Sequence, residues 1–250
     1  LVKECKIDQL YNEISQNKDI FQLAINPQLA SVIAAIYNQY EDRLPENRID
    51  LYEKAIEKMI ERLVSPSTSS ATNFISQELG VNSTMFWSIM QEIAEYLHSK
   101  VEGLSENNLR EIMRTDLVDY QTQTHISLVT NVDNLIPKLD DIFKYQAGIL
   151  NEFGHNSFRF IHRTFQEYLA GVFLLTSNGV ESTSKKIIEK IGEPRWREAI
   201  LLALSYLSIN HTRNECERLI LEIIEEEKQK SGILPTNALI LVSSFEDMDT

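Results

Sequence analysis

Between Phe158 and Gly171 the apolar residues change their spacing. Phe158 and Phe160 fall on alternate positions, as in a strand, while Phe165, Leu169 and Phe173 recur at helical spacing. A β-like stretch therefore turns at once into a helix, with His162 at the changeover. A histidine there shares space with backbone N–H groups that lack an intrahelical acceptor and with the positive end of a helix dipole. That setting suits an anion such as phosphate. It also suits a ring that merely caps or packs the first turn.

Elsewhere the 3.6-residue period dominates and glycine is scarce, so the fold class is mainly α. One helix is predicted over 7–23. Asn26-Pro27 starts the next, because asparagine caps well and proline fits the first helical position. That helix places Leu29, Ile33 and Ile36 or Tyr37 on one face and ends near Tyr40. After Leu44-Pro45-Glu46-Asn47, an apolar stripe runs through Ile49, Tyr52, Ile56, Met59, Ile60 and Leu63, with Glu53, Lys54, Glu57 and Glu61 facing water. Residues 65–72, rich in Ser, Pro and Thr, read as a linker.

A helix from about Ser83 carries Phe86, Ile89, Met90, Ile93 and Leu97 inward. Leu104 and Leu109 around Ser105 look like a hydrophobic staple on a serine cap, opening a short helix that ends near Met113. Residues 124–129 alternate weakly, as a strand would. A third helix is predicted over 134–145 and a hairpin over 149–161, turning at Gly154-His155-Asn156. Three helices and then a hairpin is the element order of a winged-helix domain. Beyond Thr176, helices are predicted over 185–191, from Pro194 with Trp196, Ile200, Ala203, Leu204 and Leu207 inward, over 214–230 and over 237–245. Paired short helices suggest the start of a superhelical stack.

The net charge of −13 sets the chain against phosphate backbones. The third helix sets Lys138 and Lys144 against Asp140 and Asp141, which cancel, so specific DNA binding is not expected. Cys5 and Cys216 form neither a disulfide framework nor a metal knuckle, and a reducing, cytoplasmic setting follows. No stretch is apolar for long enough to span a bilayer. His98, His125, His155, His162 and His211 have no metal-ligand spacing, and neither a Gly-x-Ser-x-Gly elbow nor a Gly-x-x-x-x-Gly-Lys-Ser/Thr loop occurs. No catalytic or metal site is therefore expected, and this chain alone is not expected to be an enzyme. The acidic run from Glu222 to Glu227 reads as a solvated helix face. Trp87 and Trp196 read as core anchors.

Three segments together carry a family resemblance: Ile25-Asn26-Pro27-Gln28-Leu29, Leu44-Pro45-Glu46-Asn47-Arg48-Ile49-Asp50-Leu51-Tyr52, and Ala147-Gly148-Ile149-Leu150 leading to Phe160-Ile161-His162-Arg163-Thr164-Phe165-Gln166-Glu167-Tyr168-Leu169-Ala170. In order and spacing, over about residues 8–176, the chain resembles NACHT-type signalling NTPases of the STAND class, which include the NOD-like receptors. The resemblance implies a small helical domain (1–82), a winged-helix domain with a β-hairpin wing (83–161) and a second helical region that starts a superhelical stack (162–250). It implies that Pro27 packs by the adenine and that His162 contacts the β-phosphate of ADP in a closed state. The P-loop and Mg-binding acids that hold ADP or ATP would lie upstream, which fits a chain that opens on Leu1 rather than Met.

The function so implied is a regulatory module of a longer ATPase, coupling ADP/ATP state to oligomerisation in immune or stress signalling, antiphage defence included. The implied partners are the NTPase core of the same protein, further copies in an oligomer, and a protein or other trigger on a downstream sensor. A helical protein-interaction scaffold indifferent to nucleotide would need only the apolar stripes and the helical tail, and it stands as the alternative.

Overall fold

The computed structural model describes residues 2–25, 27–40, 43–45, 47–64, 82–100, 102–124, 131–146, 149–154, 156–176, 180–231, 236–239 and 242. The fold is mostly helical with one small sheet. It divides into two compact units, Leu1–Ile89 with Leu104–His162, and Met90–Gly103 with Arg163–Thr250.

The first unit opens with α1 (Val2–Gln16), α2 (Lys18–Ala24), α3 (Pro27–Gln39) and α4 (Arg48–Val64). The single helix expected over 7–23 is two, because Asn17 interrupts it. Its side-chain oxygen accepts from Ile20 N–H at 3.2 Å, so Asn17 caps a new helix where the apolar pattern alone runs on. Asn47 opens α4 in the same way, accepting from Asp50 N–H at 2.9 Å while its amide donates to the Asp50 carboxylate at 2.9 Å. Ile49, Tyr52, Ile56, Met59 and Ile60 are buried as expected. Glu53 and Lys54 are half-buried rather than solvated, and Lys54 places its Nζ over the Tyr40 ring, 4.7 Å from its centre. The linker expected over 65–72 lies outside the described residues.

The unit continues with the first half of α5 (Ser83–Ser99), β1 (Leu104–Ser105), α6 (Glu106–Thr124), α7 (Val132–Asp141), a wide π-type turn at Ile142–Gln146, β2 (Leu150–Glu152) and β3 (Ser157–Phe160). The sheet order is β1-β3-β2, antiparallel throughout, with Leu104 opposite Phe158 and Leu150 opposite Phe160. Helix, short strand, two helices and a two-stranded wing is winged-helix topology. Gly154 (φ 71°) and Asn156 (φ 55°) take the left-handed conformations of the wing turn. Ser105 caps α6 through its hydroxyl, 3.2 Å from Asn108 N–H, with Leu104 and Leu109 buried on either side.

The structure corrects one helix end in this region. Instead of stopping near Met113, α6 runs to Thr124, because Leu117 prolongs the buried stripe of Leu109 and Met113. The helix expected over 134–145 is helical from Val132 to Gln146, its last five residues in the wider π form. The strand expected over 124–129 falls outside the described residues except at Thr124, which ends α6.

Asp116 on α6 is buried against Ser88 of α5, whose hydroxyl donates to Oδ1 at 2.5 Å. Among the described residues its Oδ2 meets no donor. Burial pushes this carboxyl above its ordinary pKa, Ser88 offsets part of the shift, and Asp119 adds to it. Folding therefore favours the protonated form, and stability falls as pH rises from the unfolded toward the folded pKa. Asp116→Asn keeps an acceptor for Ser88 and removes the charge. Urea denaturation at neutral pH should show a gain of about 1 kcal/mol, and the gain should vanish in acid.

The second unit contains the rest of α5, α8 (Arg163–Leu175), α9 (Val180–Lys190), a 3₁₀ turn at Pro194–Trp196, α10 (Arg197–Asn210) and α11 (Arg213–Ser231). α8 packs mainly on α10, and α9 on α11, so each helix leans on the next but one. α9 begins at Val180, ahead of residue 185, with Thr183 and Ser184 buried in its first turns. α10 is buried beyond its expected face, at Ala199, Leu201, Leu202 and Ser205 as well. Trp196 is fully buried, whereas Trp87 is half-buried.

The acidic run on α11 is not simply solvated. Glu227 is buried and accepts from the backbone N–H groups of Asn237 (3.3 Å) and Ala238 (2.7 Å), capping the helical residues at 236–239, and Glu226 accepts from Ser184 at 2.9 Å. Most of the helix expected over 237–245 lies outside the described residues.

Candidate functional site

β3 ends at Phe160, and Ile161 extends the ladder with one further bond, donating to Ile149 O at 2.8 Å. The chain then turns through His162 into α8. His162 is half-buried, and its ring bonds to the backbone carbonyl of Gln22 in the last turn of α2. Burial lowers the pKa of this imidazole below the ordinary histidine value, and the Gln22 carbonyl pulls it partly back. In the neutral ring the nitrogen facing Gln22 must carry the proton, because a carbonyl only accepts. The other nitrogen is then an acceptor, and it becomes a donor only when the ring is protonated.

Pro27 is the first residue of α3 and is exposed. Asn26 lies outside the described residues, as do Ala147 and Gly148. His162 is thus bonded to α2, while Pro27 opens the next helix, α3. Sequence gave no hint of Gln22, since any residue offers a carbonyl.

From Arg163 on, the segment is committed to packing within the second unit. Phe165 and Leu169 are buried, and Glu167 receives Arg163 Nε at 2.7 Å. Gln166 bonds the buried His98 ring at 3.3 Å. A Cβ on Gly171 would land on the carbonyl oxygen of Ala199 and 3.2 Å from Ala203 N, so α8 and α10 touch backbone to backbone there.

The face that α7 would offer to a duplex is not basic. Asp140 and Lys144 point inward and bond each other at 2.7 Å, which leaves Asp133, Asn134, Pro137, Lys138 and Asp141 outside. Among the described residues no group of His, Cys, Asp and Glu is placed to hold a metal ion, and no helix is long and apolar enough to cross a membrane.

The profile of one family, the winged helix-turn-helix domain C-terminal to NACHT, matches residues 48–174, half of the chain. The chain belongs to this family. The match runs from the first residue of α4 to the last turn of α8, so the NACHT-linked winged helix includes the sheet, the wing and His162. Domains of this family are non-catalytic modules that follow a NACHT domain in the same protein. No curated protein matches the chain.

Proposed function

We propose that this chain is the regulatory winged-helix module of a NACHT signalling NTPase, in which His162 reads the diphosphate of ADP bound by the preceding NACHT domain. The supporting observation is the placement of a half-buried imidazole at the strand-to-helix junction, pinned on one nitrogen by Gln22. A protonated imidazole can donate a charge-assisted hydrogen bond to a phosphate oxygen, and a nearby phosphate favours that form. Pro27, exposed at the head of α3, would lie by the adenine, and Mg would be held by upstream acids. With ADP bound, the module stays closed. Exchange to ATP, prompted by a trigger on a downstream sensor, frees it and promotes oligomerisation in cytoplasmic immune or stress signalling, antiphage defence included.

A charge-assisted hydrogen bond is worth about 1.5–3 kcal/mol. His162→Ala in a protein carrying both the NACHT domain and this chain should weaken ADP binding roughly ten- to a hundredfold. It should also raise self-association without a trigger. Because the nucleotide-free ring sits below the ordinary value and phosphate raises it, ADP uptake binds a proton. Affinity should therefore tighten as pH falls between those two pKa values, and the variant should lose that slope. Unchanged ADP affinity together with unchanged self-association would refute the proposal.

The stacking of α8 on α10 and α9 on α11 also supports a nucleotide-indifferent protein-binding scaffold, since such stacks present extended surfaces. Partner binding unaffected by either nucleotide or His162→Ala would favour it.

A further inference from the structure

His98, near the end of α5 in the second unit, is 2% exposed. Its Nε2 lies 2.8 Å from the carbonyl oxygen of Arg195 in the turn before α10, and its Nδ1 lies 3.3 Å from Gln166 Nε2 on α8. The edge of the ring meets Trp196, with centroids 4.5 Å apart and planes at 85°. A carbonyl can only accept, so Nε2 carries the hydrogen, and in a neutral ring Nδ1 must accept from Gln166.

The same turn crowns the end of α5. Arg195 donates to the carbonyls of Leu97, Ser99 and Lys100 at 3.5, 3.4 and 3.2 Å, groups that the helix itself leaves without partners.

We propose that His98 is a proton-operated latch: neutral, it fastens the last turn of α5 to α8 and to the Pro194–Trp196 turn, and a proton taken from solvent onto Nδ1 releases Gln166. The new N–H faces an N–H, so the bond to Gln166 is lost unless that amide inverts. The added charge also falls among cations, namely Arg195 in the turn, Arg163 on α8, and Lys190 of α9, which lies 4.9 Å above Trp196. Among the described residues the facing carboxylate is Glu95 on α5, already engaged by the Ser99 hydroxyl at 2.6 Å and Lys190 at 3.8 Å. Glu167 on α8 is held by Arg163. Burial and the neighbouring arginines hold the ring below the ordinary histidine value, against the pull of the Arg195 carbonyl and Glu95. The latch is therefore still closed at the ordinary histidine value and opens only as pH falls through the ring's own, lower pKa.

Trp196 reports the state of the latch, because a protonated imidazole against an indole quenches its emission. In the full chain with Trp87→Phe, emission followed from about pH 8 to about pH 5 should fall in one step, with its midpoint below 6.5 and helix content retained. The step should vanish in H98Q, whose amide can serve both Arg195 and Gln166, and persist in H162N. Flat emission in the parent, a step surviving in H98Q, or a step lost in H162N would overturn the latch. Should H98Q fail to fold, NMR titration of the His98 ring in the parent decides. A midpoint coincident with the emission step supports the latch, and one at or above the ordinary value, or apart from the step, overturns it.

Discussion

Asp140→Ala is expected to destabilise the first unit by about 3 kcal/mol. Asp140 is 1% exposed, and its Oδ2 accepts from Arg110 Nε (2.9 Å), Arg110 Nη2 (2.7 Å) and Lys144 Nζ (2.7 Å). Removing the carboxylate strands two cations of unequal freedom. Arg110 is 40% exposed and can turn to water, keeping Glu106 as its partner. Lys144 is 5% exposed, with Glu106 at 3.3 Å and Phe158 below it, 4.9 Å from the ring centre. Its buried ammonium carries most of the cost.

A double-mutant cycle isolates that cost. Lys144→Met should recover much of the loss when added to Asp140→Ala, yet be destabilising by itself, since it leaves the carboxylate without its most enclosed partner. Equal losses for Asp140→Ala with and without Lys144→Met in chemical denaturation would show that the lysine is not stranded.

The second large effect is Gly171→Ala. In an open helix this exchange stabilises by about 1 kcal/mol, through backbone entropy. At Gly171 the added carbon overlaps the Ala199 carbonyl oxygen, which is backbone in the middle of a packed helix and cannot swing aside as a side-chain tip would. Steric cost wins, and the expected outcome is a net loss of about 3 kcal/mol with α8 pushed off α10. Gly192→Ala is the control, because nothing lies within 4 Å of its Cβ position; it should stay within about 0.5 kcal/mol of the parent. Equal denaturation midpoints for the two variants would contradict the backbone contact.

Sequence patterns exposed elements whose apolar faces are long and regular. The stripes of α4 (as far as Ile60; the Leu63 side chain lies outside the described ones) and of α5 were legible, as were the serine cap of α6 and the wing turn. What stayed hidden has specific causes. The break at Asn17 is a capping event laid over an unbroken apolar pattern. The second half of α6 was lost to sight because a buried carboxylate, Asp116, occupies a place where the stripe calls for carbon. β1 is two residues long, too short for any period. At the candidate site, the position of His162 was readable from the strand-to-helix switch. Its bond to Gln22 was not, and neither was the pairing of Gln166 with His98, which joins residues 68 apart. The close backbone approach at Gly171 was equally silent, since a contact made by an absent side chain leaves no trace in composition.

The next-but-one packing of α8 with α10 and α9 with α11 has a consequence for how this tail can change. The pair α10 and α11 is stacked on the pair α8 and α9, each outer helix on its counterpart. Fraying should then start at the outer end and advance pair by pair. Additional pairs could be spliced on beyond α11 while the packing of α8 on α10 is kept.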